Sequence, residues 1–192
     1  MTGQAATICI YCGSRAGRRA GHVNVARATG RALGRAGFAV VYGAGDLGLM
    51  GETARAARAA GARVTGFIPR HLFELEVCKS DIDALIVTET MHERKKLMFG
   101  NSDAVLALPG GPGTLDELIE VLTWRHLGLH DKPVVLLNPE DYWGPLLALF
   151  DHMIDEGFVG APFRDYFTVV ETVDEAIAAL REALSPIRSM VE

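Results

Sequence analysis

Three glycines and two prolines crowd the stretch "LPGGPGTLDE" at residues 108–117, between an apolar run and a helix-like segment. Gly110, Gly111 and Gly113 can present successive backbone N–H groups and let a ligand come close. Thr114 is placed to cap the helix that follows. A helix N-terminus with free amides attracts phosphate. No Gly-Lys-Ser or Gly-Lys-Thr follows, so the corner suits a phosphorylated ligand other than a nucleoside triphosphate. Glu117 has two readings. With Thr114 as N-cap it completes a capping box, reaching back to the Thr114 N–H. A carboxylate beside a phosphate cradle would also repel the ligand, which points to chemistry on the part of the ligand beyond the phosphate.

A second corner, "YGAGDLGLMG", holds Gly43, Gly45 and Gly48 in the GxGxxG spacing. A dinucleotide site should show an acid about 20 residues on, at the end of the next strand. That strand ends "VTGFIPRH" without one, and the corner follows the second strand rather than the first. An anion cradle of backbone amides at a helix N-terminus is the favoured reading, and a tight turn is the other. A third corner, "YCGSRAG", places Gly13 and Ser14 after the first strand, as an ordinary turn or as part of a site. "MHERKKLM" carries Arg94, Lys95 and Lys96 on a helix before the fifth strand, which alone reads as a solvated basic face. His92–Glu93 opens a zinc-like HExxH, but Lys96 stands where the second histidine belongs, so no metal site follows. Cys9 and Cys12 form a CxxC inside the strand-like "ATICIYC". Residues three apart on a strand face opposite ways, so the pair reads as buried structural thiols.

Seven apolar strand-like runs alternate with helical ones: "ATICIYC", "FAVVYG", "RVTGFI", "ALIVTE", "AVLALP", "PVVLLN" and "FTVVE". Strands apolar on both faces, alternating with helices, imply an open parallel sheet with helices on both faces. Residues 1–192 read as one Rossmann-like α/β domain, with ligands beyond the carboxyl ends of the strands. "PRHLFELEVCKSDID" is the least regular segment and reads as a loop near the site. The composition, 49% hydrophobic and 22% charged, is globular, and the net charge of -5 speaks against a nucleic-acid binder. No apolar run reaches the roughly 18–20 residues of a membrane span, and no basic region precedes the first apolar stretch, so a cytoplasmic location is expected. Leu118, Val121, Leu122, Trp124, Leu127 and Leu129 spread too widely for one core-facing stripe. Part of that surplus is expected to pack on a second subunit.

Together, "PGGPGTLDE", "MHERK" and "YGAGDLGLMG" fit motifs of the LONELY GUY family of cytokinin-activating phosphoribohydrolases. The chain resembles that family from "ICIYCGS" to "DEAIAAL", with motif order and spacing in agreement. The resemblance implies hydrolysis of N6-modified adenosine 5′-monophosphates, with plain AMP an open alternative, to free base and ribose 5-phosphate. It also implies a homodimer or larger assembly and neither metal nor organic cofactor. Motif matching carries the catalytic pair onto Arg94 and Glu117. The phosphate is then expected on Gly110, Gly111, Gly113 and Thr114, with Ser14, Gly45, Met91 and Lys95 as further substrate-binding candidates. Some sequences of this kind bear the name lysine decarboxylase, yet nothing here marks a pyridoxal-binding lysine. Two departures stand out. Ala44 replaces a common glycine and would narrow the ligand loop, and "FGNSDAV" would alter how the Arg94 helix ends. Carriers of the phosphorylated molybdenum cofactor share a similar fold and glycine corner, and a nucleotide sensor would also bind without turnover. The Arg94–Glu117 pair favours hydrolysis.

Overall fold

The computed structural model describes residues 5–73 and 82–185. Cys78 and most of the irregular segment lie outside them. The elements run β1 (Thr7–Tyr11), α1 (Ala20–Arg35), β2 (Ala39–Tyr42), α2 (Gly48–Ala59), β3 (Val64–Pro69), α3 (Arg70–Phe73), β4 (Ala84–Thr88) and α4 (Met91–Gly100). They continue with β5 (Ala104–Ala107), α5 (Pro112–His126), β6 (Val134–Leu137), α6 (Gly144–Asp155), β7 (Thr168–Val170) and α7 (Val173–Leu184). Every expected strand is present. They form one seven-stranded sheet in the order β4-β3-β2-β1-β5-β6-β7, all neighbours parallel.

The period-2 alternation of β1 divides the core into two layers. Ile8, Ile10 and Cys12 face α1, α2 and α7, while Cys9 and Tyr11 face α4, α5 and α6. Both cysteines are free and buried on opposite faces. The α1–α2 pair packs backbone to backbone, and a side chain at Gly30 would collide with Thr53 O of α2. Fully buried residues such as Ile8, Ile10 and Leu106 each contribute roughly 1.5–3 kcal/mol. No helix among the described residues is long and apolar enough to cross a membrane.

Strand order positions the site. The chain builds outward from β1 to β4, then returns across the sheet to place β5 on the other side of β1. The loops leaving β1 and β5 therefore diverge, and a crevice opens between them. One start differs from expectation. The N-cap of α5 is Gly111 and Pro112 is its first residue, so Thr114 is inside the helix and caps nothing. Proline's fixed φ suits the first helical position, where its missing N–H costs no bond. The capping box expected for Thr114 and Glu117 does not form.

Candidate active site

A cleft of about 740 Å3 lies at this divergence, walled by the loops after β1, β2 and β5. Of the residues expected at the site, Ser14, Gly45, Gly110, Gly111, Gly113, Thr114, Arg94 and Glu117 line it, whereas Met91 and Lys95 do not. Met91 stands behind the guanidinium, its sulfur accepting from Arg94 Nη1 at 3.1 Å. Lys95 joins α4 to α5 by ion pairs to Asp116 at 2.9 Å and Glu120 at 3.2 Å. Burial works against its charge, but those two carboxylates outweigh it and raise the Lys95 pKa.

The β5 corner is open to a ligand. Among the described residues nothing lies within 4 Å of where a side chain at Gly111 or Gly113 would begin, and the first N–H groups of a helix have no partner within it. A Cβ at Gly110 would strike Thr114 Oγ1, and the Gly110 carbonyl accepts from Tyr142 Oη at 2.6 Å. The β2 corner borders the cleft through Gly43 and Gly45, but two of the amides that the anion-cradle reading needs are already taken. The amides of Leu49 and Met50 that open α2 donate to the Gly13 carbonyl at 3.0 and 3.2 Å. Gly43 is needed for another reason: any Cβ there would overlap Arg94 Nη2. Ala44 takes a left-handed φ of 59°, which glycine adopts without strain. Its methyl faces Gly66 and not the cleft, so it narrows nothing. The residues of "FGNSDAV" close α4 themselves. Asn101 Nδ2 donates to Leu97 O at 2.8 Å, Ser102 Oγ to Phe99 O at 2.9 Å, and Lys132 Nζ adds bonds to Phe99 O and Ser102 O.

"MHERKKLM" is not a solvated face: Arg94 and Lys95 are buried, and only the third cation, Lys96, is exposed. Thr90 caps α4, accepting from Glu93 N at 3.1 Å, and thereby fixes the turn that carries Arg94. Glu117 lies on the inward stripe of α5 with Thr114, Leu118 and Val121. The two side chains meet at 3.2 Å, each about nine-tenths buried. Burial pushes the Glu117 carboxyl up to about 7, with Arg94 opposing and Asp116 adding to the rise. The group is therefore poised between acid and carboxylate near neutral pH. Arg94 Nε has no hydrogen-bond partner among the described residues, leaving one edge of the guanidinium uncommitted.

Sequence spacing missed several cleft residues. Gly43 acts through a contact with a residue far along the chain, and Tyr142 reaches Gly110 from beyond β6. His22 packs its ring edge on Tyr142 at 5.5 Å, and its buried Nε2 has no hydrogen-bond partner among the described residues. Arg15 and Arg18 also line the cleft, and the one signal for them was the basic run "SRAGRR". No cluster of metal-binding side chains occurs among the described residues.

A family model described as "Possible lysine decarboxylase" matches residues 50–180. A cytokinin riboside 5′-monophosphate phosphoribohydrolase of Rhodococcoides fascians is 42% identical, over 91% of this chain and 89% of the relative. A probable enzyme of the same name from Oryza sativa subsp. japonica is also 42% identical, over 94% of this chain and 81% of its own. Among solved structures, the molybdenum cofactor carrier protein of Chlamydomonas reinhardtii superposes with a TM-score of 0.72 at 25% identity, covering 94% of this chain and 98% of that one. With motifs, fold and extended identity in agreement, the chain belongs to the LONELY GUY family of cytokinin riboside 5′-monophosphate phosphoribohydrolases.

Proposed function

We propose that this protein hydrolyses the N-glycosidic bond of N6-modified adenosine 5′-monophosphates, giving the free base and ribose 5-phosphate. The observation that carries this reading is the buried Arg94–Glu117 pair on the wall of a cleft whose neighbouring corner is open to phosphate. The phosphate sits on Gly110, Gly111, Gly113 and Thr114, with Ser14 and Gly45 on the adjoining walls. Ribosyl transfer to water passes through an oxocarbenium-like state. Glu117, when ionised, stabilises the positive charge developing at the anomeric carbon and draws the proton from the attacking water. The bond from that carbon to the base breaks, its electron pair leaves on the base, and the base takes up a proton from solvent to balance the one Glu117 drew from the attacking water. Arg94 orients and stabilises charge; with a pKa above about 12 it is no proton donor. Lys95 holds α4 against α5 and so sets the spacing of the pair.

The carrier reading rests on the likeness to the molybdenum cofactor carrier, and fold alone does not fix function. A carrier needs no buried carboxylate beside its anion. Incubation with a panel of nucleoside 5′-monophosphates and the matching nucleosides, with free base assayed, decides between them. Base release from the monophosphates and much less from the nucleosides is expected; binding without release would favour the carrier. The protein works in the cytoplasm as a homodimer or larger assembly. Support comes from Leu127 and Leu129, 63% and 69% exposed at the end of α5, while Leu118, Val121 and Leu122 fill the core. A monomer in light scattering at micromolar concentration would overturn the assembly.

A further inference from the structure

The phosphate end of the cleft has a charge imbalance that the Arg94–Glu117 pair does not explain. Its charged lining residues are Arg15, Arg18, Arg94 and Glu117. Arg94 is matched by Glu117 at 3.2 Å. Just outside the lining, Lys95 is matched by Asp116 and Glu120, and Arg19 by Glu140 at 3.0 Å. Arg15 and Arg18 form no ion pair among the described residues, so the lining carries two uncompensated positive charges in a chain whose net charge is -5. A phosphomonoester carries about -1.5 to -2 at neutral pH, which is the complement.

Backbone packing ties these arginines to the glycine corner. A Cβ at Gly13 would lie 3.1 Å from Arg15 O and 3.4 Å from Gly110 Cα, so the Arg15 segment runs directly beside the β5 corner. Gly48 abuts Arg15 N on the other side. Gly17, with a φ of 72°, turns the loop over His22, itself a lining residue.

We propose that Arg15 and Arg18 are substrate-binding residues that grip the 5′-phosphate alongside the glycine corner, and so set the preference for nucleotide over nucleoside. This rests on the phosphoribohydrolase reading above. The glycine corner offers neutral backbone dipoles; the two guanidinium groups add net charge and forked hydrogen bonds suited to phosphate oxygens. Neither forms an ion pair with Glu117 among the described residues, so they act on binding rather than on bond breaking.

The test uses Arg15→Gln, Arg18→Gln, the double variant, and Arg19→Gln as a loop control outside the lining. Turnover is measured with an N6-alkyl adenosine 5′-monophosphate and with its nucleoside, and ribose 5-phosphate binding by calorimetry. Each single variant should raise the nucleotide KM several-fold and the double variant at least about tenfold, the scale of losing one charge-assisted contact. The kcat and the nucleoside kinetics should hold, and the ribose 5-phosphate Kd should rise in parallel. Arg19→Gln should match the parent. A nucleotide KM and ribose 5-phosphate Kd within twofold of the parent in the double variant would overturn the proposal. If the parent releases no base from any nucleotide, the hydrolase reading fails, while the ribose 5-phosphate arm still judges the arginines. A parent that does not bind ribose 5-phosphate either sinks both.

Discussion

Two tetrapeptides of this chain are almost the same: Thr-Leu-Asp-Glu at 114–117 and Thr-Val-Asp-Glu at 172–175. The second is a complete capping box. Thr172 precedes α7, its hydroxyl accepts from Glu175 N at 3.2 Å, and Glu175 accepts from Thr172 N at 3.0 Å and Glu171 N at 2.9 Å. Those backbone donors, Glu171 first, lower the Glu175 pKa. The first tetrapeptide forms no such box because α5 starts at Pro112, three residues earlier than a Thr114 cap would set it, which moves Thr114 into the helix and Glu117 onto its buried stripe. There burial raises the carboxyl to about 7. Identical side chains thus become a solvent-facing cap at one helix and a buried acid at the other. The preceding backbone, not the motif, decides which.

Charge removal is the most severe way to break this comparison. Glu117→Gln keeps the size of the side chain and loses the carboxylate, so base release should fall at least about a hundredfold. Nucleotide binding, read by calorimetry, should persist. Near-normal turnover would return Glu117 to a structural role. Next comes the partner's seat. Gly43→Ala places a methyl where Arg94 Nη2 lies, and kcat should drop by about tenfold or more as the guanidinium is displaced, a loss of roughly 1.4 kcal/mol or more. Gly100→Ala, in open space outside the cleft, should leave kcat alone.

A pH profile sharpens the contrast between the two carboxylates. If ionised Glu117 does the work, kcat/KM should climb about tenfold per pH unit below its pKa of about 7 and level off above it. Arg94 favours the ionised form, so Arg94→Gln should move the remaining limb to higher pH. A limb unchanged in Glu117→Gln would assign it to another group, such as the substrate phosphate. Milder still, Thr172→Ala removes a true N-cap and should cost about 1 kcal/mol in denaturant unfolding with turnover intact. The smallest change is expected from Glu175→Gln, since Gln also accepts the cap hydrogen bonds: no loss of turnover, and a lower Tm shift than Thr172→Ala.

The strands and the three glycine corners were legible because they follow from local pattern: apolar runs bounded by glycine. Boundaries failed where one residue reset a helix, as Pro112 did for α5. Roles failed where they depend on distant partners. Lys95 reads as a free cation in "MHERK" until α5 brings Asp116 and Glu120 to it. Gly43 reads as a turn or a phosphate glycine until α4 fills its place with Arg94. The β2 corner reads as an anion cradle until the Gly13 carbonyl takes its amides. In each case the deciding contact joins segments that no spacing rule connects.

The central strand also carries a pair of built-in reporters. Cys9 and Cys12 point into opposite core layers, and burial pushes both thiols well above their ordinary range. Alkylation needs the thiolate and access to it, so in the native state Cys9 reacts only when its own layer opens, whereas Cys12 borders the cleft. The time Cys9 takes to be alkylated then clocks the breathing of the half that holds Arg94 and Glu117, and the time Cys12 takes reads access through the cleft, which a bound nucleotide should lengthen.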